Sequence, residues 1–251
     1  MKIALVTIAT GKYDIFVPDL VRTAEDNFLP GLEKHYFIFS DTCTTKDLDS
    51  NNIAIIPQEK LGWPFDTMMR FHMFLSIKEE LEKFDYVFFL NANLIFNKKI
   101  REEDLKLHEG HQLLGVQHPG FYLTNRSKFP YERNPDVSCN IPPNEGDFYF
   151  QGCFNGGRSS EWIEMCHTLS GMIELDLSKN LIPIWHDESY LNWYFKEKGA
   201  KVLPPSYGIP EQIIDGDFNW WDSGYKNLQL VEHYIIQRDK RKYGGSDFLR
   251  S

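Results

Sequence analysis

The sequence predicts an α/β fold in which a mainly parallel sheet is covered by helices on both faces. Two short, largely apolar runs, Ile3–Ile8 (IALVTI) and Tyr86–Leu90 (YVFFL), have the length and composition of strands that are buried on both sides. Between them, two segments carry apolar residues at helical spacing, and two further short apolar runs occur. Strands that alternate with helices in this way are typical of a parallel sheet.

The elements of the first half follow from these patterns in order. Thr10-Gly11 ends the first apolar run, and Pro30-Gly31 ends the helix that comes after it. The apolar face of that helix is formed by residues at helical spacing, namely Val17, Leu20, Val21, Ala24 and Phe28. Beyond it, the patterns predict two strands and then one helix, at Tyr36–Phe39, Ile53–Ile56 and Met68–Leu81.

The second half is less regular. The segment 118–155 is rich in proline and turn residues, which predicts long functional loops around one short strand, Phe148–Phe150. An apolar helical face over Trp162–Ile173 predicts a long helix, and a further helix is predicted to begin at Asp187 or Glu188. No internal repeat or linker divides the chain, so a single domain is predicted.

Composition excludes several classes of protein. The 251 residues carry a net charge of −9, which argues against a nucleic-acid partner because phosphate backbones need a broad basic surface. The four cysteines form no CxxC pair, so we expect reduced thiols in a cytoplasmic protein and neither a disulfide framework nor a zinc site. The first apolar run is too short for a signal peptide or a membrane span, so we expect a soluble protein, with peripheral contact to a membrane at most.

Polar residues follow the YVFFL strand directly, as Asn91-Ala92-Asn93. Ligands of open α/β sheets bind at the carboxyl ends of the strands, so Asn91 and Asn93 are candidates for binding a ribose or a phosphate. Their neutral amides are poor ligands for a hard divalent cation. On the residues alone, an ordinary strand-end turn is the commoner arrangement.

A second candidate is the tetrapeptide Trp185-His186-Asp187-Glu188, which precedes an apolar-periodic stretch. Acidic residues at this position are typical of a helix N-terminus, where they cap free N–H groups. A carboxylate can also stabilise or attack an anomeric carbon, and a neighbouring Trp185 can stack on a sugar. Because adjacent helical residues point in different directions, one of the two acids can cap while the other faces a cleft.

The segment Gln151–Gly157 (QGCFNGG) contains small residues that allow a ligand to approach closely. It matches neither a P-loop nor a dinucleotide-binding fingerprint. By itself it is interpreted as a turn.

The chain ends with a basic segment, Arg238-Asp239-Lys240-Arg241-Lys242. A solvated charge run is the default interpretation of such a segment. In an acidic protein that lacks an acidic metal site, a basic tail folded over the cleft is also a counter-charge for a diphosphate, since Lys and Arg are the usual phosphate partners.

Taken in order along the chain, these motifs resemble glycosyltransferase family six, the family of the histo-blood-group A and B transferases and the α-1,3-galactosyltransferases. The resemblance covers nearly the whole chain. Its most specific motifs are HPGFY at His118–Tyr122, YER at Tyr131–Arg133, IPPNEGDFYF at Ile141–Phe150, GG at Gly156–Gly157 and WHDES at Trp185–Ser189.

The resemblance implies a GT-A fold, a single domain over residues 1–251, and α-1,3 transfer with retention from UDP-galactose or UDP-N-acetylgalactosamine to a galactoside. The expected acceptor is a fucosylated galactoside. Residues 1–110 would form the nucleotide-binding half, residues 111–236 the donor-sugar and acceptor half, and residues 237–251 the basic tail. The predicted partners are therefore a UDP-sugar donor and an oligosaccharide or glycolipid acceptor.

The resemblance also implies roles for individual residues. Glu188 would be the catalytic carboxylate. The uracil and ribose pocket would be lined by Ile8, Thr10 and Tyr13. Further donor contacts are implied for Trp63, Arg70, Asn91, Ala92, Asn93, Gln151, Gly152, Cys153, Asp187 and Lys240. The acceptor would contact His118, Trp185 and Asp187.

The chain departs from the family at its metal-binding DxD motif, where Asn91 and Asn93 replace both aspartates. Some bacterial members that look metal-independent share this feature, and Lys240 aligns with a lysine in their tails. No metal ion or other cofactor is therefore expected. No vertebrate-type membrane anchor is expected, and the resemblance implies a bacterial cytoplasmic enzyme that synthesises a surface glycan.

Donor choice depends on the third residue of Gln151-Gly152-Cys153, which in the family faces the C2 substituent of the sugar. Cys153 is larger than glycine, which favours galactose over N-acetylgalactosamine. One such contact discriminates by only ~1–3 kcal/mol. Two other classes stay open: an inactive sugar- or UDP-binding module, which the loss of DxD suggests, and a glycoside hydrolase, which adjacent acids fit poorly.

Overall fold

The apolar runs form a central seven-stranded sheet in the computed structural model of the chain, which describes residues 1–42, 52–107, 112–217, 228 and 231–251. A second sheet of three short strands lies beside it. In chain order the strands are β1 (Lys2–Ile8), β2 (Glu33–Ser40), β3 (Ile53–Pro57), β4 (Tyr86–Leu90), β5 (Leu94–Phe96), β6 (Leu113–Gln117), β7 (Phe150–Arg158), β8 (Lys201–Leu203), β9 (Ile209–Pro210) and β10 (Ile235–Gln237).

The helices follow the same order along the chain. They are α1 (Val17–Asn27), α2 (Phe65–Met68), α3 (Arg70–Leu75), α4 (Lys78–Leu81), α5 (Glu102–Leu105), α6 (Ser159–Ser178), α7 (Asp187–Lys198), α8 (Glu211–Ile214) and α9 (Gly245–Arg250). Short 3-10 turns connect several of them, including Gly11–Phe16 after β1 and Lys240–Tyr243 after β10.

The central sheet has the order β3-β2-β1-β4-β7-β6-β8. Its first four strands are mutually parallel, β7 is antiparallel to both of its neighbours, and β8 is parallel to β6. The register pairs Val6 with Phe89, so the carboxyl ends of β1 and β4 meet at one edge of the sheet. The predicted α/β fold with a mainly parallel, mixed sheet is therefore confirmed, and it is consistent with a GT-A fold.

Both faces of the sheet are buried, as the all-apolar strands predict. Successive side chains of a strand point to opposite faces, so Leu5 packs with Leu20 and Ala24 of α1 on one face. On the other face, Val6 packs in a cluster with Trp162 of α6. Among the described residues, no helix is both long and apolar enough to cross a bilayer.

Three predicted elements differ from the structure. The helix predicted over Met68–Leu81 is divided into α2, α3 and α4, because Met69 and Ile77 leave helical geometry with ψ values of 8° and 24°. Breaks of one or two residues preserve the apolar spacing, so the sequence period does not reveal them. At the first break, Arg70 Nε donates to the carbonyl of Thr67, and the Arg70 side chain enters the protein.

The predicted strand Phe148–Phe150 and the turn predicted at Gln151–Gly157 are both wrong, because β7 continues from Phe150 to Arg158. The glycines serve close packing and not chain reversal. A Cβ atom on Gly156 would lie 2.7 Å from the carbonyl oxygen of Val87 on the adjacent strand. The short strands β5, β6, β8, β9 and β10 were not predicted.

The cysteines that the structure describes are isolated in the core. Cys139, Cys153 and Cys166 are buried free thiols. Cys43 lies outside the described residues.

Candidate active site

A cleft of about 480 Å³ opens at the edge of the sheet where β4 ends. This is the carboxyl edge, at which open α/β sheets bind their ligands. Most of the predicted site residues line it, namely Trp63, Arg70, Asn91, Asn93, His118, Gln151, Gly152, Cys153, Trp185, Asp187, Glu188 and Lys240. The remaining predicted contacts, Ile8, Thr10, Tyr13 and Ala92, are not among the described residues that line it.

The Glu188 carboxylate is fixed by two hydrogen bonds at the start of α7. The Gly152 backbone N–H donates to Glu188 Oε2 at 2.8 Å, and the Tyr149 hydroxyl donates to Glu188 Oε1 at 2.8 Å. Burial raises the pKa of Glu188 to about 7, while the two donors oppose that rise because they stabilise the charged form. A carboxylate of this kind is ionised in a large fraction of molecules at neutral pH.

Asp187 forms an ion pair inside the cleft. Its Oδ2 lies 2.7 Å from Arg70 Nη2, and both side chains are almost fully buried. Burial raises the pKa of Asp187, and the Arg70 guanidinium opposes that rise. Arg70 also donates from Nη1 to the carbonyl of Gly152 at 2.9 Å. A capping role for the acids was weighed above, but no side-chain cap bond is made at the His186 N-cap of α7.

Gly152 lies between the two acids and is the point to which both are tied. Its N–H binds Glu188 and its carbonyl binds Arg70, which in turn holds Asp187. A Cβ atom at this position would lie 3.2 Å from Asp187 Oδ2 and 3.6 Å from Glu188 Oε2. A glycine therefore lets β7 and α7 approach closely enough for these bonds to form.

Two residues that support the acids, Tyr149 and Asn192, were not predicted. Tyr149 is buried among aromatic rings and reaches Glu188 with its hydroxyl. One helical turn after Glu188, Asn192 accepts from the N–H of Phe150 and donates to its carbonyl, which fixes α7 to β7. His186 adopts φ 50° and ψ −123°, a strained backbone conformation directly before the acids. The motif IPPNEGDFYF contains Tyr149, but only the contact with α7 identifies its role.

The side chain of Asn93 contacts the C-terminal segment of the chain. This side chain is buried, and Nδ2 donates to the carbonyl of Arg238 at 2.9 Å. A neutral amide whose N–H group donates to a neighbouring carbonyl is a poor ligand for a hard divalent cation. Among the described residues, no three His, Cys, Asp or Glu side chains are placed to hold a metal ion. Asn91 and Asn93 therefore do not fit the metal site of a DxD motif.

The basic tail folds back over the cleft, and most of its cations are paired. Arg238 lies 2.7 Å from Asp19, Arg241 lies 2.7 Å from Asp239, and Lys242 lies 2.7 Å from Asp215. Lys240 differs from them. Its Nζ lies 5.1 Å from the centroid of the Tyr13 ring, and within the part of the chain that the structure describes, no carboxylate forms an ion pair with it.

Aromatic side chains form the rim of the cleft. Trp63 and Trp185 are about half exposed, at 52% and 47%. The Trp63 ring packs edge-to-face on His186 and lies beneath the Arg250 guanidinium. Flat, exposed rings of this kind provide stacking surfaces for a sugar.

The imidazole of His118 also lines the cleft. Burial lowers the pKa of His118 to about 3, and its Nδ1 accepts from the Gly120 N–H, which assigns the ring proton to Nε2.

Gln151 and Cys153 face the second sheet. Gln151 Nε2 donates to the carbonyl of Gly208 at 3.1 Å, and Gln237 Nε2 donates to Gln151 Oε1 at 2.8 Å. A Cβ atom on Gly208 would lie 2.8 Å from Cys153 Sγ, so Gly208 packs directly on the sulfur. This contact fixes both side chains at the wall of the cleft.

Comparison with known proteins agrees with this geometry. A family model described as "Glycosyltransferase family 6" matches residues 1–221. The chain belongs to glycosyltransferase family 6. Similar curated proteins include the "O-antigen biosynthesis glycosyltransferase WbnI" of Escherichia coli, which is 34% identical over 212 residues, or 84% of this chain and 89% of that protein.

Two mammalian glycosyltransferases are also similar. The "Histo-blood group ABO system transferase 2" of Rattus norvegicus is 31% identical over 250 residues, or 91% of this chain and 68% of that protein. The "Globoside alpha-1,3-N-acetylgalactosaminyltransferase 1" of Mus musculus is 30% identical over 215 residues, or 82% of this chain and 60% of that protein. The predictions of the family and of a UDP-sugar-dependent glycosyltransferase are thereby confirmed.

Proposed function

We propose that this family 6 enzyme is a retaining α-1,3-glycosyltransferase that moves galactose from UDP-galactose to a fucosylated galactoside without a metal ion. The observation that carries the proposal is the cleft itself. It combines a partly buried Glu188, fixed by two hydrogen bonds, with a Lys240 ammonium that forms no ion pair with a described carboxylate. One group suits the anomeric carbon and the other suits the departing diphosphate.

The reaction assigns a role to each charge. The bond between C1 of the sugar and the diphosphate oxygen breaks, and its electron pair goes to that oxygen. Glu188 stabilises the positive charge that develops at C1, or attacks C1 to form an ester that the acceptor then displaces. The acceptor hydroxyl forms the new bond to C1, and its proton leaves to the departing diphosphate. Both routes retain configuration and require Glu188 to be ionised.

Metal independence follows from how charge balances at the diphosphate. Asparagines at 91 and 93 add no negative charge that a cation would have to neutralise, and Asn93 is engaged with Arg238. The Lys240 ammonium supplies the positive charge instead. No step of the proposed mechanism needs a bound ion, and no organic cofactor is needed because the UDP-sugar is a substrate.

Galactose is the preferred donor in this proposal because the wall that would face the C2 substituent is filled. Cys153 is buried against Gly208, and Gln151 is held by Gly208 and Gln237. An acetamido group would have to displace one of them. UDP-N-acetylgalactosamine is the second candidate, since the similar mouse protein is named an N-acetylgalactosaminyltransferase.

The remaining predicted residues complete the binding surfaces. We propose that Trp185 and His118 contact the acceptor, while Ile8, Thr10 and Tyr13 receive the uridine beside the cleft. Similarity to the O-antigen enzyme WbnI supports a role in bacterial surface-glycan synthesis on an oligosaccharide or glycolipid acceptor. Such an enzyme would act in the cytoplasm, at most peripherally bound to the membrane.

The test is a transfer assay with UDP-galactose or UDP-N-acetylgalactosamine and with 2′-fucosyllactose or lactose, each in excess EDTA and in Mn²⁺. We expect turnover with UDP-galactose and 2′-fucosyllactose that EDTA leaves unchanged. Glu188→Gln and Lys240→Ala should each lower kcat by about a hundredfold or more. Lys242→Ala, which removes a cation already paired with Asp215, is the matched control. Strict dependence on Mn²⁺ would refute metal independence, and UDP binding without transfer to any acceptor would indicate an inactive binding module.

A further inference from the structure

We infer that Asn93 is a positioning residue that docks the C-terminal tail, so that Lys240 is held at the diphosphate site before any donor binds. The tail segment meant here is residues 238–243. In this inference Asn93 does not contact the donor and acts only through Lys240. It therefore rests on the role proposed for Lys240, and its test is designed to be separable from that role.

Two hydrogen bonds join Asn93 to the tail segment. Asn93 Nδ2 donates to the carbonyl of Arg238 at 2.9 Å, and the Arg238 N–H donates to the carbonyl of Asn93 at 2.8 Å. Asn93 thus provides the hydrogen-bond partner of both the N–H and the carbonyl of Arg238. The Asn93 side chain is only 4% exposed, so solvent cannot readily replace the bond that it makes.

These two hydrogen bonds continue the pairing of β5 with β10 by one residue on each strand. In the second sheet β5 and β10 are antiparallel, and Leu94 pairs with Gln237. Asn93 and Arg238 are the next residues beyond this pair. The amide of Asn93 therefore adds a side-chain bond at the point where the tail leaves the strand, two residues before Lys240.

Neighbouring contacts fix the other residues of the tail while leaving Lys240 available. Gln237 Nε2 donates to Gln151 Oε1, and Arg238 is paired with Asp19. On the far side, Asp239 accepts from the N–H of Arg241. Lys240 is held between fixed neighbours. Its ammonium lies over the Tyr13 ring and, among the described residues, forms no ion pair with a carboxylate.

An aspartate at position 93 would oppose this docking. It would replace the N–H donor with a second acceptor that faces the Arg238 carbonyl, so a buried acceptor would lose its partner. Asn91 provides the contrast, because within the described part of the chain its side chain makes no hydrogen bond. Its backbone N–H donates to the carbonyl of Cys153, and its backbone carbonyl accepts from the N–H of Leu94. The two asparagines of one motif thus have separable roles.

The first experiment measures docking without catalysis. Hydrogen exchange of the backbone amides of residues 238–243 is compared in the ligand-free, full-length wild type, Asn93→Asp and Asn91→Asp. We expect exchange at least about tenfold faster in Asn93→Asp and unchanged in Asn91→Asp. Equal exchange in wild type and Asn93→Asp would overturn the inference. If Asn93→Asp does not fold, Asn93→Ala, which removes the donor without adding charge, is judged by the same criterion.

The second experiment asks whether Asn93 acts through Lys240. The kcat for UDP-galactose is measured in Asn93→Asp, Lys240→Ala and the double variant, all in EDTA. We expect Asn93→Asp to lower kcat about tenfold or more in the wild-type background and to have no further effect in the Lys240→Ala background. Independent losses that multiply would contradict the inference. If Lys240→Ala itself has no effect, the proposed function fails, while the exchange result still decides whether Asn93 docks the tail.

Discussion

Glu188 combines two properties that compete with each other, because the burial that excludes water from the cleft also disfavours the charged form that the reaction needs. The hydroxyl of Tyr149 and the N–H of Gly152 partly restore that form. The pKa of Glu188 near 7 is the outcome of this competition. In the proposed mechanism, activity at neutral pH therefore depends on Tyr149, a neighbouring residue that does not line the cleft.

Tyr149→Phe tests this dependence. Because a donor to the carboxylate is lost, the pKa of Glu188 should rise, and the midpoint of the rise of kcat with pH should move upward by about one unit. The rate at a pH well above the midpoint should fall much less. Tyr131→Phe is the control, since the Tyr131 hydroxyl donates to the carbonyl of Phe148 and not to Glu188. Identical pH profiles for wild type and Tyr149→Phe would exclude this role.

The same raised pKa makes a prediction about stability. Relative to the ordinary value of 4.5, the folded pKa of about 7 means that Glu188 favours the folded state below pH 4.5 and loses that contribution as pH rises through 7. Glu188→Gln removes this titration. Its free energy of unfolding, measured relative to wild type, should therefore increase by about 2–3 kcal/mol between about pH 5 and pH 8.

Urea unfolding of both proteins at the two pH values provides the measurement. Glu79→Gln changes an exposed carboxyl and should show no such difference. If the stability of Glu188→Gln relative to wild type is the same at both pH values, the pKa of Glu188 is not raised in the folded state. The expected result would mean that Glu188 lowers the stability of the folded protein at neutral pH. Such a loss of stability is tolerated where a residue is needed for catalysis.

At the residue scale, the sequence predicted the acids and not their support. The pair Asp187-Glu188 before an apolar stretch is visible in the sequence, and the ends of the predicted strands bring Asn91 to the same cleft. Tyr149 has no such signal, because a tyrosine in an aromatic-rich segment reads as core. Whether its hydroxyl reaches a carboxylate depends on how α7 packs on β7, which no local pattern specifies.

At the element scale, the junction between α7 and β7 positions the acids, and Asn192 is its central contact. It binds both the N–H and the carbonyl of Phe150, and it also donates to the carbonyl of Glu188. A leucine would fill the space but leave the two backbone groups of Phe150 buried without partners. Each such group costs ~1–3 kcal/mol.

Asn192→Leu should therefore lower the free energy of unfolding by about 2–5 kcal/mol and, because α7 carries Glu188, lower kcat by more than about tenfold in the molecules that remain folded. Urea unfolding and initial rates at a temperature well below the transition measure the two effects. Lys198→Ala, at the exposed end of the same helix, is the control. Loss of stability with wild-type kcat would show that the junction does not position the acid.

The glycines of β7 explain why this element was mispredicted. Gly152 and Gly156 are required by close neighbours, the acids in one case and β4 in the other. Sequence patterns associate glycine with turns, so a strand that contains several glycines is not recognised. The start of α7, predicted at Asp187 or Glu188, lies at Asp187, because apolar periodicity and acids at the first turn indicate the same boundary.

At the scale of the whole molecule, the alternation of strands and helices was sufficient to predict the sheet but not the closure of its edge by the tail. β5 and β10 have three residues each, and they come from positions about 140 residues apart in the chain. Strands this short carry no period. The basic run 238–242 therefore suggested a tail that folds over the cleft, but not the strand pair through which it docks.

Binding of UDP should test this closed arrangement as a whole. A molecule with a net charge of −9 repels a diphosphate at long range, so affinity has to come from local cations, among which Lys240 is central. UDP in EDTA at about a hundred times its Kd should stabilise the folded state by ~2.7 kcal/mol, which raises Tm by roughly 5–10 °C in a protein of this size.

Comparing UDP with uridine separates the diphosphate from the rest of the ligand. Lys240→Ala should strongly reduce the Tm shift caused by UDP and leave the smaller shift caused by uridine unchanged, because only the diphosphate meets the ammonium. Lys242→Ala should leave both shifts as in the wild type, since its charge is already balanced by Glu211 and Asp215. Differential scanning fluorimetry on the full-length protein provides the measurement. A UDP shift that appears only when Mn²⁺ is added, or that Lys240→Ala does not change, would mean that the tail is not the counter-charge of the diphosphate.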